Sequence, residues 1–268
     1  MIDRGKRSIL GVGVSVVDLD SAADRIIAAA RQRCAFGATA LAVHGVMTGA
    51  LDPEHRYRLN RLDLVTPDGQ PVRWALRFLH GETLPDRVSG PDLMPVVCAR
   101  AAAAGLNVFL YGSTPQVLDA LKTALVEMSP TIRIVGAEPS RFRRLTEKDA
   151  AEVEQRIRDA GAHLVLVGLG CPRQEIFVFE HLQSLGVPML AVGAAFDFLA
   201  GRIPKAPSWM QKSGLEWLFR LAHEPRRLWR RYVLLNPLYC LMIAGQWMRL
   251  PGLNLDRERE PTAPEFIG

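Results

Sequence analysis

Short apolar runs alternate with helical segments over residues 1–201, and this alternation constrains the fold more than any other feature. Glycine or proline usually separates a run from the helical segment after it. Strands that are apolar at consecutive positions belong to sheets covered on both faces, and strands that alternate with helices are typical of parallel sheets. The sequence therefore predicts a doubly wound α/β fold, with a mostly parallel sheet and helices on both faces. The predicted strands cover residues 9–17, 38–43, 62–66, 107–111, 132–136, 164–167 and 189–193.

An acidic residue, Asp68, stands at the end of the third predicted strand, in the stretch LDLVTPDG of residues 62–69. Pro67 fixes its own φ and Gly69 tolerates a tight turn, so Asp68 should lie on a turn at the carboxyl end of the strand. In open α/β sheets ligands bind at that end. Because Pro-Asp-Gly is also a common turn sequence, a purely structural role for Asp68 is the alternative.

His44 follows the run 38–43 in the same manner and would face the same cleft. A structural or solvated histidine is the alternative interpretation.

A second candidate element is the glycine loop, residues 168–174, which follows the strand 164–167 and opens a helix. Backbone N–H groups at such a helix start can hold a phosphate or diphosphate. A dinucleotide-binding fingerprint would have a third glycine where Arg173 stands, so a nicotinamide-dependent enzyme is disfavoured.

The sequence offers weak signals for a metal ion. Asp18 and Asp20 resemble a metal-binding D-x-D pair, but their place just before Ser21 is more typical of carboxylates at a helix amino terminus. The cysteines are far apart, so their spacing suggests neither a zinc site nor a disulfide framework, and a reducing compartment fits best. They are Cys34, Cys98, Cys171 and Cys240.

The composition changes after Gly201, where the chain becomes basic and aromatic. The net charge of +5, from 33 Lys+Arg and 28 Asp+Glu, matters because part of it is concentrated here. Residues 1–201 are predicted to form the α/β core, residues 202–250 a basic, aromatic, helical appendage that associates with a membrane, and residues 251–268 a flexible tail.

Three arginines of the appendage, Arg220, Arg227 and Arg230, would lie roughly on one side of a helix that bends at Pro225. Guanidinium groups suit diphosphates and lipid phosphates alike. A solvated helix face is the alternative.

No membrane-spanning segment or signal peptide is expected. The apolar stretch 232–245 is interrupted by Asn236-Pro237 and is shorter than the roughly 20 residues of a spanning helix. The amino-terminal residues contain glycines and an acidic residue without a cleavage pattern.

Six stretches at compatible spacings together resemble the bacterial WecG/TagA/CpsF glycosyltransferases, also called glycosyltransferase family 26. They run in order over nearly the whole chain. They are TPDG (66–69), RVSGPDL (87–93), FLYG (109–112), VGLGCPRQE (167–175), VGAAFDFLAG (192–201), and GLEWLFRL (214–221) with EPRRLWRR (224–231).

The resemblance implies an inverting transfer, without metal or other cofactor, of a hexose or N-acetylhexosamine-type sugar from a UDP-sugar. The acceptor is a polyprenyl-diphosphate-linked saccharide, and the expected location is the cytoplasmic side, peripheral on the inner face of the cell membrane. The pathway would be bacterial surface or exopolysaccharide synthesis.

The resemblance also implies roles for individual residues. Asp68 matches the general base, and Arg87 and Gln174 match polar pocket positions. Further substrate-binding positions within the matching motifs are Thr66, Gly69, Gly112, Gly168, Gly170 and Asp197. The basic residues expected to face the diphosphate or the membrane are Arg220, Arg227 and Arg230.

The chain departs from the family at the end of the second predicted strand, where Thr-x-Asn is replaced by Ala42-Val43-His44. The change removes a hydroxyl and an amide and adds a titratable ring at His44. The preference for sugar or acceptor would therefore differ from that of the better-known members of the family. The identity of the sugar stays open, and so does the oligomeric state, with a homo-oligomer among the options.

A different class of protein is the alternative: a membrane- or nucleic-acid-binding protein whose basic carboxyl end works on an inert α/β scaffold. This alternative leaves the acidic turn and the glycine loop unexplained. Nucleic acid is therefore not an expected partner.

Overall fold

The computed structural model describes residues 1–250 and 257–268, except for the side chains of Arg227 and Arg231. The strands are β1 (Asp3–Ile9), β2 (Val12–Val17), β3 (Phe36–Leu41), β4 (Leu64–Pro67), β5 (Asn107–Gly112), β6 (Arg133–Glu138), β7 (Leu164–Gly168) and β8 (Pro188–Ala191).

The helices are α1 (Leu19–Gln32), α2 (Val43–Leu51), α3 (Pro53–Arg61), α4 (Gln70–His80), α5 (Gly90–Ala103), α6 (Pro115–Met128), α7 (Glu147–Asp159), α8 (Arg173–Leu185), α9 (Ala195–Leu199), α10 (Ser208–Lys212), α11 (Glu216–His223) and α12 (Pro225–Trp247).

The main sheet confirms the predicted class. Its strand order is β4-β3-β8-β7-β5-β6, and every neighbouring pair is parallel. Along β7, Val165 and Val167 join one core cluster while Leu164 and Leu166 join the other, so both faces of the strand are buried. Helices α1, α5 and α6 cover one face, and α2, α3, α4, α7 and α8 cover the other.

The prediction of one strand over residues 9–17 is wrong. Leu10 and Gly11, both with positive φ, make a two-residue turn between β1 and β2, which pair antiparallel in a separate hairpin. A turn with positive φ at both central residues matches the twist of a hairpin. The hairpin packs over the face that also carries α2, α3 and α4.

The appendage lies against this same face through α12. Tyr239 and Ile243 are buried in the core cluster, and the Tyr239 hydroxyl donates to the carbonyl of Pro71 (3.2 Å). The helical stretch predicted to bend at Pro225 is broken there instead, because α11 ends at His223 and α12 begins at Pro225. Proline is tolerated at the first position of a helix, which fits a new helix start better than a bend.

Among the described residues, no helix is both long and apolar enough to cross a bilayer. The described part of the carboxyl-terminal segment, residues 257–268, contacts the core. Arg61 pairs with Glu258, and the N–H of Leu145 donates to the carbonyl of Phe266 (2.9 Å).

Candidate active site

A cavity of about 450 Å³ opens at the carboxyl edge of the parallel sheet. Its size falls within the range of about 300–1,000 Å³ that is usual for small-molecule sites. Residues that follow the strands line one part of it: Ala42, His44, Asp68, Gly69, Gly170, Val192 and Gly193. The appendage lines another part: Gln211, Gly214, Glu216, Trp217, Arg220, Tyr232, Leu235 and Asn236.

Asp68 lines this cavity on a turn at the end of β4. Its backbone N–H donates to the carbonyl of Leu41 at the end of the neighbouring β3 (3.2 Å). Gly69 follows with φ of +89°, a conformation that residues with a side chain rarely adopt, and α4 starts immediately after it. The turn is therefore fixed by two strands and a helix.

Burial raises the pKa of Asp68 to about 6. The neighbouring Arg87 and Arg220 act in the opposite direction, and Glu216 adds to the increase. A carboxyl group with this pKa is about 90 % ionised at pH 7, yet it is a better proton acceptor than an ordinary aspartate. The site thus contains a carboxylate suited to general-base catalysis.

Arg87 connects the core to the appendage beside Asp68. One guanidinium nitrogen donates to Glu216, and another donates to Oε1 of Gln211 (2.7 Å) and lies 3.7 Å from Asp92. The Arg87 side chain is 9 % exposed, so these charge-assisted contacts are largely shielded from water.

Two of the predicted binding residues stand behind the cavity lining. The hydroxyl of Thr66 donates to the carbonyl of Val88 (2.8 Å), which attaches the segment carrying Arg87 to β4. Gly112 packs against Gly168, where an added Cβ would come within 2.7 Å of backbone atoms. The cavity is lined instead by the next residue, Ser113.

The glycine loop brings Gly168, Gly170 and Gln174 to the cavity. The N–H of Gly170 donates to Oε1 of Gln174 (3.2 Å), and Nε2 of Gln174 donates to Oε1 of Glu175 (2.8 Å). The Gln174 side chain therefore closes the loop over the start of α8, where the first backbone N–H groups have no partner within the helix.

His44 and Asp197 also line the cavity, on the first turn of α2 and on α9 respectively. Ala42 is the N-cap of α2 and makes no side-chain capping bond. The replacement of Thr-x-Asn thus leaves His44 as the polar side chain at this end of β3.

The three predicted arginines do not act as one cluster among the described side chains. Arg220 lines the cavity, lies 5.5 Å from the ring of Phe198 and is paired with Glu224 (3.9 Å). Arg230 is exposed and stacks over Trp229 (5.3 Å) outside the cavity. The side chain of Arg227 lies outside the described residues.

Several lining residues were not proposed from the sequence. Three of them belong to the appendage, more than a hundred positions after Arg87 in the chain: Gln211, Glu216 and Trp217. The only sequence signal for them is their position in or near the GLEWLFRL stretch. Phe142 lines the cavity with a φ of +51°, and the sequence carries no signal for it.

The carboxylates considered as a D-x-D metal site have other partners. Asp18 caps α1 and accepts from the N–H of Ser21 (2.8 Å), and Asp20 pairs with Arg100. The helix-start interpretation is confirmed. Within the described residues, the group whose arrangement could hold an ion is His55, Cys171 and Glu175.

The chain matches the model of the glycosyl transferase WecG/TagA/CpsF family over residues 7–252, which includes the strand ends, the glycine loop and the appendage. The match covers most of its 268 residues. Members of this family are glycosyltransferases of cell-wall and polysaccharide synthesis. The protein therefore belongs to the WecG/TagA/CpsF family of glycosyltransferases.

Proposed function

We propose that the protein transfers a hexose or N-acetylhexosamine-type sugar from a UDP-sugar to a polyprenyl-diphosphate-linked saccharide, with inversion at the anomeric carbon. The observation that carries the proposal is Asp68, a carboxyl group with a raised pKa in a cavity shared by the glycine loop and the appendage. The reaction would serve bacterial surface or exopolysaccharide synthesis.

In this mechanism Asp68 removes the proton from the acceptor hydroxyl as its oxygen attacks the anomeric carbon. The C–O bond to UDP breaks on the opposite side, and the electron pair leaves with the diphosphate. A base with a pKa near 6 is matched to this task at neutral pH, because it is mostly ionised and still accepts a proton.

Charge that develops on the diphosphate needs stabilisation by groups already in position. The start of α8, where Arg173 and Gln174 line the cavity, carries the positive end of the helix dipole, and Arg220 offers a guanidinium within the same cavity. These groups would stabilise the negative charge of the leaving diphosphate without a bridging cation. His44 and Asp197 are candidates for contacts to the sugar or the nucleoside.

The acceptor is attached to a lipid, and α12 offers a surface suited to a bilayer. Leu234, Leu238 and Leu241 project from one side of the helix and are exposed, while the opposite side contacts the core. Exposed apolar side chains beside arginines are typical of helices that lie in a membrane interface. The arginines and tryptophans nearby are Arg226, Arg230, Trp229 and Trp247. The proposed location is the inner face of the cell membrane.

The membrane- or nucleic-acid-binding alternative is less well supported. It does not require Asp68 in the cavity, the closed glycine loop or a cavity walled by both the core and the appendage. A dehydrogenase is disfavoured by Arg173 at the position of the third glycine, and titration with NAD(P)H would test it.

The proposal is tested with the full chain, a panel of UDP-sugars and a lipid-linked acceptor in detergent. We expect enzyme-dependent UDP release that requires the acceptor and is strong with one or a few sugars. Release that is independent of acceptor would indicate hydrolysis, and absence of release with every sugar would contradict a UDP-sugar donor.

A further inference from the structure

Three potential metal ligands, two of them buried and one partly buried, lie together at the glycine loop. His55 comes from the first turn of α3, Cys171 from the glycine loop and Glu175 from the first turn of α8. One ligand atom from each lies within 4.8 Å of the other two. More than a hundred residues separate His55 from the other two, so the fold rather than the sequence spacing brings the three together.

Two of these side chains carry buried polar atoms without a hydrogen-bond partner. Neither ring nitrogen of His55 has a hydrogen-bond partner among the described residues, and the residue is 1 % exposed. Oε2 of Glu175 is also unpartnered, and this residue is fully buried. Polar atoms of this kind are rare in folded proteins because burial removes their bonds to water, and a bound ion is one of the accepted reasons for them.

The remaining contacts of Glu175 orient its carboxylate toward the cluster. Oε1 accepts from the Thr39 hydroxyl (2.8 Å) and from Nε2 of Gln174 (2.8 Å), and the Cys171 side chain is itself hydrogen-bonded to this carboxylate. Hydrogen bonds of this type, made by the outer partners of a ligating carboxylate, fix its direction in metal sites.

The donor set is an imidazole nitrogen, a thiol sulfur and a carboxylate oxygen, which is the combination that zinc accepts. In a tetrahedral zinc site, neighbouring ligand atoms are about 3.5 Å apart. Since the three atoms already lie within 4.8 Å, side-chain shifts of about 1 Å or less would bring them to a common ion.

We propose that His55, Cys171 and Glu175 form a zinc site that ties α3 to the glycine loop. On binding, the Cys171 sulfur loses its proton to solvent and bonds to the metal as a thiolate. Cys171 lines the cavity but His55 and Glu175 do not, so the ion would lie behind the cavity wall, hold the loop there and take no part in sugar transfer. The site is independent of the proposed donor and acceptor, and either proposal can fail without the other.

The test uses untagged, reduced, metal-free protein of full length and titration with Co²⁺ alone under anaerobic conditions. We expect one equivalent to bind, with the intense sulfur-to-cobalt absorption of a thiolate ligand, and to be displaced by Zn²⁺. His55→Phe and Cys171→Ser should each weaken Co²⁺ binding by about 100-fold or more, since each removes a ligand. Thr39→Val should weaken it by about 10- to 100-fold through the orientation of Glu175.

Cys34→Ser and Cys240→Ser are matched controls, because both thiols are exposed and lie outside the cluster. They should retain the absorption. In addition, Zn²⁺ should raise the melting temperature of the wild-type protein and of both controls, but not of His55→Phe. Absence of tight Co²⁺ binding to the wild-type protein, or binding unchanged in both His55→Phe and Cys171→Ser, would overturn the proposal. Either result would mean that the three side chains pack together without holding an ion.

Discussion

The two sides of the cavity are built in different ways. On the sheet side, Asp68 and the glycine loop are held by backbone hydrogen bonds between buried strands and helix starts. On the appendage side, polar side-chain contacts such as Arg87 with Glu216 join α11 to the core, while part of α12 is exposed and apolar. Ten of the seventeen exposed large hydrophobic side chains among the described residues lie within residues 202–250. Under the proposed function, the core would supply the fixed chemistry, and the appendage would supply closure and access to a lipid-linked substrate.

The largest expected effect is on the sheet side. Asp68→Asn keeps the shape of the side chain and removes the base, so turnover should fall by about 10²-fold or more. UDP affinity, measured by calorimetry, should change little. Asp119→Asn, on an exposed carboxylate of α6, is the control and should behave as the wild type. Near wild-type turnover of Asp68→Asn, with chemistry rate-limiting, would refute the assignment of the base.

On the appendage side, Arg220→Ala should lower turnover by about 10- to 100-fold on a soluble acceptor analogue in detergent. The effect is smaller because the amino terminus of α8 still stabilises the diphosphate. Arg230→Ala should leave turnover unchanged in the same assay, since this residue lies outside the cavity. Equal effects of the two substitutions on turnover would contradict the assignment of Arg220, rather than Arg230, to the diphosphate.

Arg227→Ala belongs in the same detergent assay. Reduced turnover would assign Arg227 to the leaving diphosphate, and unchanged turnover would restrict it to membrane binding.

The influence of the appendage side on Asp68 can be measured through the pH dependence of kcat/KM. Because Asp68 must be ionised to act as a base, kcat/KM should fall as the pH drops through about 6. Glu216 raises the pKa of Asp68, so Glu216→Gln should move this acidic limb to lower pH. The measurement is the pH profile of kcat/KM for both proteins. A limb that stays in place would show that Glu216 does not influence the base.

Replacing exposed leucines of α12 should weaken membrane binding, and this effect should be smaller than the effects on turnover described above. Replacing Leu234 and Leu241 together by serine should weaken binding to anionic vesicles by about 10-fold and leave turnover in detergent intact. High salt should weaken it further, because each arginine near an anionic surface contributes about 1 kcal/mol. Val126→Ser, on an exposed site of α6, is the matched control. If the double variant bound vesicles as tightly as the wild type, the proposed contact between α12 and the membrane would be wrong.

The smallest expected effect is that of added Mg²⁺ or Mn²⁺. Protein groups suffice for the leaving diphosphate in the proposed mechanism, so neither ion should stimulate turnover of the full-length enzyme. Strict dependence on either ion in a steady-state assay would require a bridging cation and a revised mechanism.

Local features of the sequence were sufficient to predict much of the sheet side. The Pro-Asp-Gly turn identified the end of β4, and the glycine loop identified the end of β7 and the start of α8. Such signals depend on residues close together in the chain. The residues that complete the cavity do not: Arg87 and Glu216 are 129 positions apart.

The errors have the same origin. Residues 9–17 have the apolar pattern of a strand, and only the backbone of Leu10 and Gly11 reveals the hairpin. Arg220 and Arg230 share a helical spacing, but the start of α12 at Pro225 separates their surroundings. Likewise, cysteine spacing gave no indication of His55 near Cys171, since that proximity depends on how α3 and α8 pack.

The end of α12 is attached to the turn of the amino-terminal hairpin, and this contact has a consequence for the order of folding. Oε1 of Gln246 accepts from the N–H of Leu10 (2.9 Å), and its Nε2 donates to the carbonyl of Ser8 (3.1 Å). Contacts between residues far apart in sequence carry a large loop-closure cost and slow the folding of the chain. The contact of α12 with the hairpin joins the two ends of the chain and is one of the longest in sequence separation. Glu216, Gln211 and Arg220 follow the last strand of the sheet in the chain, so the lining of the cavity is complete only after the whole sheet has been synthesised.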